Sequence, residues 1–185
     1  MSEWFYKRLP IFQDVFEHIK NYQAPKNLNF WYFFGSLALL MLANQLLTGI
    51  WLLMYYTPDA DLAMQSIELM MREVPFGWLF RYLHAAGASF FFIVIYMHMF
   101  KAMLYGSYQS PREVLWWLGC VLLILFMAEA YTGYILPWGQ MSYWAARVIT
   151  SLFKTIPFIG DSLVLLIQGD YEVSAVTLHR FFSFH

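Results

Sequence analysis

The sequence predicts an all-α membrane protein: a four-helix transmembrane bundle whose fourth helix is cut short at the chain end. Three observations point there. The 185 residues are 61% hydrophobic and 12% charged, with mean hydropathy +0.51, whereas soluble domains average about 45–50% apolar and about 25% charged. Three apolar stretches each exceed the ~20 residues that cross a bilayer, and a fourth begins near Val173. Two histidines, His84 and His98, lie 14 residues apart inside one of these stretches.

Residues 1–29 are mixed and polar and carry no short apolar core with a cleavage site, so they read as an interfacial region with a helix over Glu3 to Tyr22 rather than a signal peptide. The bundle region is 30–185. Its first helix is expected at about 30–56, the second at about 78–105 and the third at about 114–136. Thr57 to Gly77 reads as a polar connection, broken by Pro58 and Pro75 and made acidic by Asp59, Asp61, Glu68 and Glu73. Gly106 to Arg112 is a short turn, with Pro111 suited to the first turn of the next helix. The long connection after Pro137 holds two apolar pieces split by Pro157, expected as surface helices at about 141–153 and 158–167. The last stretch, about 173–185, is too short to span, so the chain is expected to continue; a half-buried final segment is the alternative.

The formal charge of −1 gives no reason to expect nucleic acid. The single Cys120 excludes an internal disulfide and reads as a packed thiol, and no Cys-x-x-Cys-His motif offers thioether attachment of haem. With the N-terminus inside, six basic residues fall on the inner side (Lys7, Arg8, Lys20, Lys26, Lys101, Arg112). Five fall outside (Arg72, Arg81, Arg147, Lys154, Arg180), or three once Arg81 and Arg180 are set aside as neighbours of histidines. That bias favours an inner N-terminus.

Along a helix, 14 residues separate His84 from His98 by ~21 Å and return to within ~40° of the same face. One helix thus offers two ligands at two depths. Gly35 and Gly49 repeat the spacing in the first span, and Gly119 and Gly133 in the third. Glycine costs roughly 1 kcal/mol against alanine inside a helix, so the four suggest backbone that must let something large and flat come close. The fourth helix enters from the outer face, which puts His185 near the depth of His84, and the two could share one metal. His98 needs a ligand from beyond the chain end, about 13–14 residues past His185. Bis-histidine haem has no open position and moves electrons rather than activating small molecules. A lone membrane histidine can instead simply hydrogen-bond a neighbouring helix. His18 and His179 read as non-ligands.

The run Gly133-Tyr-Ile-Leu-Pro-Trp-Gly-Gln-Met-Ser-Tyr-Trp144 resembles the signature of cytochrome b of the ubiquinol–cytochrome c reductase (cytochrome bc) complex. So do Thr177-Leu-His-Arg-Phe-Phe-Ser-Phe-His185, Arg81-Tyr-Leu-His84 followed by His98, and Tyr105-Gly-Ser-Tyr108. The likeness covers the N-terminal part of that family's usual chain. It implies two non-covalent b-type haems and quinone sites at both membrane faces. It also implies Rieske iron–sulfur and cytochrome c1-type partners, the remaining C-terminal part of cytochrome b, and a dimeric complex in an energy-transducing membrane.

Residue by residue, the resemblance makes His84 and His185 ligands of a low-potential outer haem and His98 one ligand of a high-potential inner haem. Arg81 and Arg180 fall where the family sets cations against the outer propionates, and Lys101 where many members have arginine near the inner haem. Burial of a carboxylate requires such partners, although arginines near helix ends can also snorkel. Gly35, Gly49, Gly119 and Gly133 match the family's porphyrin-packing glycines. Tyr131, Met141 and Ala145 are expected to line the quinol-oxidation site, and Trp31 and Ser36 to take part in quinone reduction. Ala145 departs from the family's frequent glycine, and its methyl is expected to exclude inhibitors that need that space. Arg147 departs from a small residue.

Glu129 stands apart. It lies roughly 10 Å inside the third helix by rise, four residues before Gly133 and on the same face. An intramembrane carboxylate is costly and usually faces the protein interior or water. Proton transfer near the quinol-oxidation site, a counter-charge to Arg147, and a hydrogen-bonded packing role all remain open. The function expected is electron transfer within a quinol oxidoreductase, with quinol oxidised outside and quinone reduced inside, contributing to proton translocation. The alternatives are a dihaem anchor of another respiratory dehydrogenase or hydrogenase, which is not expected to carry the Gly133 to Gln140 run, and a haem-free scaffold.

Overall fold

The computed structural model describes residues 21, 23 and 26–185. The expected N-terminal helix over Glu3 to Tyr22, and His18 with it, lies outside the described residues. Among the described residues, seven α-helices follow a 3-10 turn at Phe30–Tyr32: α1 Phe33–Leu53, α2 Ala63–Glu73, α3 Gly77–Leu104, α4 Glu113–Ile135, α5 Gln140–Phe153, α6 Gly160–Gln168 and α7 Ala175–Phe184. The spans Phe30–Leu53, Gly77–Leu104 and Glu113–Ile135 are long and apolar enough to cross a membrane. They carry exposed Leu39, Leu46, Leu47, Ile93, Leu122 and Ile124, as expected of helices that face lipid or partner subunits.

The chain divides into two compact units, Met1–Asn44 with Gly87–Leu125, and Gln45–Ala86 with Phe126–His185. In the first unit, Phe34, Phe91 and Val94 are buried. Asn29 opens the 3-10 turn by accepting from the Trp31 N–H at 3.1 Å, and its amide donates to the Tyr105 hydroxyl at 3.1 Å. Pro111 stands two residues before α4, in the turn, rather than in the helix's first turn as expected.

In the second unit, the stretch expected as a polar connection contains α2. Asp59 starts it: one carboxylate oxygen accepts from the backbone N–H groups of Asp61 at 2.9 Å and Leu62 at 3.2 Å. Ala63, Ile67 and Met70 then recur on one buried face, the spacing of an amphipathic helix. Of the acidic residues that argue for a loop, Asp59 and Asp61 precede the helix, and Glu68 and Glu73 lie on its exposed side. Phe76 turns the chain at φ +61°, and Gly77 starts α3 so close to α2 that a Cβ there would lie 2.9 Å from the Met70 carbonyl carbon.

A core cluster of Ile135, Ala146, Val173 and Phe181 joins α4, α5 and α7, with Tyr131, Trp138, Tyr143 and Ile167 packed on it. Tyr56 donates to the Leu136 carbonyl at 2.6 Å, and burial raises its phenol well above the ordinary range, so it stays a neutral donor. The helix α5 turns Ser142, Ala146 and Thr150 inward. Gln168 on α6 donates to the Thr150 hydroxyl at 2.6 Å. Gly169 ends α6 at φ +81°, the left-handed stop that glycine favours.

Gly77→Ala is expected to cost about 2 kcal/mol, as overpacking typically does, and to lower the unfolding temperature of the purified protein. Gly139→Ala, whose added methyl meets nothing within 4 Å, is the matched control and is expected to change it little.

Candidate functional site

The residues singled out in the sequence gather at two places, one in each unit. In the second unit, Trp51 of α1 stacks on Phe80 of α3 with ring centroids 4.3 Å apart and 12° between planes. That contact brings Gly49 against His84: a Cβ on Gly49 would sit 3.2 Å from the imidazole Cε1. On α7, Phe181 enters the core cluster and packs on Tyr131, with ring centroids 5.5 Å apart. One turn further, His185 meets α4, where a Cβ on Gly133 would lie 2.9 Å from both of its ring nitrogens. The His84 and His185 rings approach edge to face, with centroids 5.9 Å apart.

Hydrogen bonds set the tautomer of both rings. Thr48 donates its hydroxyl proton to the Gln45 carbonyl at 3.3 Å, so the same oxygen accepts from His84 Nδ1, 2.9 Å away. His185 Nδ1 lies 3.1 Å from the Glu129 backbone carbonyl, which can only accept. The Glu129 carboxylate is 3.3 Å from the same nitrogen. Both imidazoles therefore carry their proton on Nδ1 and the lone pair on Nε2, the arrangement of a metal-ligating histidine whose second nitrogen is held.

Among the described residues, no three His, Cys, Asp or Glu side chains converge as around a bare metal ion. Two imidazoles backed by glycines suit an iron whose other four ligands come from a flat porphyrin. The residues present fit a haem.

Two of this unit's cations are close in sequence to these histidines. Arg81 is half-buried one turn before His84. Arg180 donates to the Leu166 carbonyl and lies against Gly169, where a Cβ would fall 2.7 Å from the guanidinium carbon. His179 is exposed.

In the first unit, a Cβ on Gly35 would sit 3.3 Å from His98 Cε1, while at Gly119 nothing lies within 4 Å. Both His98 and Gly119 line a cavity of about 290 Å³, together with Lys101, Arg112 and Cys120. The Lys101 ammonium sits 4.1 Å from the Tyr32 ring centroid and 5.4 Å from that of Tyr105. Ser36 is exposed beside Gly35, and Trp31 packs on Phe34 with centroids 5.7 Å apart.

Of the residues expected around quinol, Tyr131 donates to the Ala146 carbonyl at 3.2 Å, tying α4 to α5 next to the half-buried Ala145. Met141 is 75% exposed. Arg147 reaches the Tyr143 hydroxyl at 3.4 Å and the Trp144 ring at 5.7 Å, whereas the ion pair recorded for Glu129 is with His185. Sequence reasoning missed Thr48 and Tyr56. The signal for Thr48 was present: a hydroxyl beside Gly49 in an otherwise apolar span.

The family profile Cytochrome b/b6/petB matches residues 19–185. The chain is 55% identical over 182 residues to "Cytochrome b" of Allochromatium vinosum, covering 98% of this chain and 44% of that protein. It is 53% identical over 176 residues to "Cytochrome b" of Marchantia polymorpha, covering 95% and 44%. To "Cytochrome b/c1" of Bradyrhizobium diazoefficiens it is 51% identical over 183 residues, covering 99% and 27%. A chain of the solved structure "Hyperthermophilic respiratory Complex III" superposes with TM-score 0.82 at 36% identity, covering 99% of this chain and 49% of that one. The chain thus spans less than half the length of these relatives.

If each histidine site holds one haem in the full-length protein, Gly133→Val is expected to empty the site at His84 and His185 and spare that at His98, and Gly35→Val to do the reverse. In each case haem per polypeptide, measured on the purified full-length protein, should then fall by about half, since the added bulk has no space to enter.

Proposed function

This chain belongs to the cytochrome b/b6 family, and from that premise we propose that it forms the dihaem electron-transfer part of a quinol–cytochrome c oxidoreductase. The observation that carries this reading is the meeting of His84 and His185, each backed by a glycine and each with its Nδ1 proton given to an oxygen.

His84 and His185 would offer Nε2 to the iron of one haem, and His98 would offer one nitrogen to a second, completed by a histidine from the remainder of a longer cytochrome b. A haem b held by two histidines would supply one-electron transfer and would leave no open position for oxygen or substrate. Arg81 and Arg180 would compensate the carboxylates of the outer group, and Lys101 those of the inner. The orientation proposed keeps the N-terminus on the inner side, so electrons would pass from outside to inside between two haems held by one helix, α3, which carries both His84 and His98.

Quinol would be oxidised against α5. Tyr131 holds the Ala146 carbonyl and so keeps α5 against α4, with Met141 exposed on that helix and the Ala145 methyl narrowing the space beside it. Trp31 and Ser36 would take part in quinone reduction near His98. Rieske iron–sulfur and cytochrome c1-type subunits would receive the other electron of quinol, in a dimeric complex whose turnover contributes to proton translocation.

The test is a reduced-minus-oxidised visible spectrum of the full-length protein in membranes. Two b-type components are expected, one lost in His84→Ala and the other in His98→Ala; a spectrum without b-type absorption would reject the reading. Tyr131→Phe is expected to raise the KM for quinol roughly fivefold, the worth of one hydrogen bond of about 1 kcal/mol, with both haems retained.

A further inference from the structure

Glu129 is a carboxylate on a membrane-spanning helix whose neighbours in sequence are apolar or small. Such a residue is expensive there and persists where it has a partner. Its partner is a proposed haem ligand: the Glu129 carbonyl oxygen lies 3.1 Å from His185 Nδ1 and its Oε1 lies 3.3 Å from the same atom. At the equivalent nitrogen of His84 stands an uncharged hydroxyl, that of Thr48, 2.9 Å away. The carboxylate arm is thus an addition to a bond that the backbone already makes.

We propose that Glu129 is a positioning residue that tunes the outer haem through His185. The inference rests on the dihaem reading above. The backbone carbonyl takes the Nδ1 proton and so orients the ring with Nε2 away from α4, while the carboxylate sets a negative charge 3.3 Å from the same nitrogen. That charge makes the imidazole a stronger electron donor, as a carboxylate behind a metal-bound histidine does. A stronger donor and a nearby negative charge both disfavour the reduced iron, so Glu129 holds the reduction potential of the outer haem below the value that the backbone carbonyl alone would set. No bond is made or broken; the effect is on an equilibrium.

The experiment is an optical redox titration of both haems in the assembled complex in membranes, at one pH, for wild type, Glu129→Gln and Glu129→Ala. In Glu129→Ala, electron sharing should shift toward the outer haem by about tenfold, which is about 59 mV for a one-electron couple, with the inner haem unmoved. Glu129→Gln, which keeps an oxygen acceptor without the charge, should move in the same direction by less. An outer potential unchanged in Glu129→Ala overturns the inference. Should that variant lose its haem, the isosteric Glu129→Gln decides by the same criterion. A wild-type complex without two b-type components would instead reject the dihaem reading itself, so the two failures are distinct.

Discussion

A flat, rigid ring system can lie against a helix only where the helix has no side chain. Everything else at these sites follows from meeting that condition inside three spans. Glycine in a helix interior costs roughly 1 kcal/mol relative to alanine, and the chain carries it where imidazoles meet backbone: at Gly35 beside His98, Gly49 beside His84 and Gly133 beside His185. Gly119 instead opens onto the cavity that His98 lines. The bulk that glycine removes has to be restored elsewhere, or the helices would collapse together. In the second unit Trp51 on Phe80 and Tyr131 on Phe181 provide it, as large side chains that hold helices apart and in register next to the small ones.

Backbone oxygens complete what the glycines begin. A histidine facing open space would rotate and offer either nitrogen. Here the choice is made by oxygens that can only accept, or whose single proton is already committed. The accepting carbonyl of Glu129 lies one helical turn before Gly133, so the residue that clears space for the His185 ring and the carbonyl that orients it come from successive turns of α4. The left-handed turn at Gly169 and the Ser174 N–H bonded to the Thr177 hydroxyl at 3.0 Å then set where α7 begins, and with it the depth reached by His185.

The spans were legible because length and composition alone decide them. The 14-residue spacing of His84 and His98 was legible because helical rise and twist turn sequence distance into direction. The helix α2 was not, since Pro58, Pro75 and four acidic residues outweighed the weaker pattern of Ala63, Ile67 and Met70, and only packing shows that this pattern is buried. The partners of the imidazoles were out of reach for another reason. Thr48 lies 36 residues from His84 and Glu129 lies 56 from His185. A carbonyl acceptor, moreover, leaves no mark on residue identity. Glu129 was visible as an anomaly, but its three candidate roles could be weighed only once its neighbour was known to be His185 rather than Arg147.

The charges around the two sites make that neighbour consequential. On the proposed reading, each haem brings two propionates. Arg81 and Arg180 of the second unit would answer one pair; Lys101, with Arg112 lining the same cavity of the first unit, would answer the other. Two cations against two carboxylates would leave both sites near balance, so neither set of bases by itself would give the electron a preferred direction. Glu129 is what differs. It is the charged side chain recorded within ion-pair distance of a candidate ligand among the described residues, and it belongs to the site from which electrons are proposed to leave. An uncompensated negative charge there raises the energy of an added electron, and a low effective dielectric inside the membrane lengthens its reach. The slope from outer to inner haem can therefore be written into one side chain on α4, without altering the ligand type at either iron.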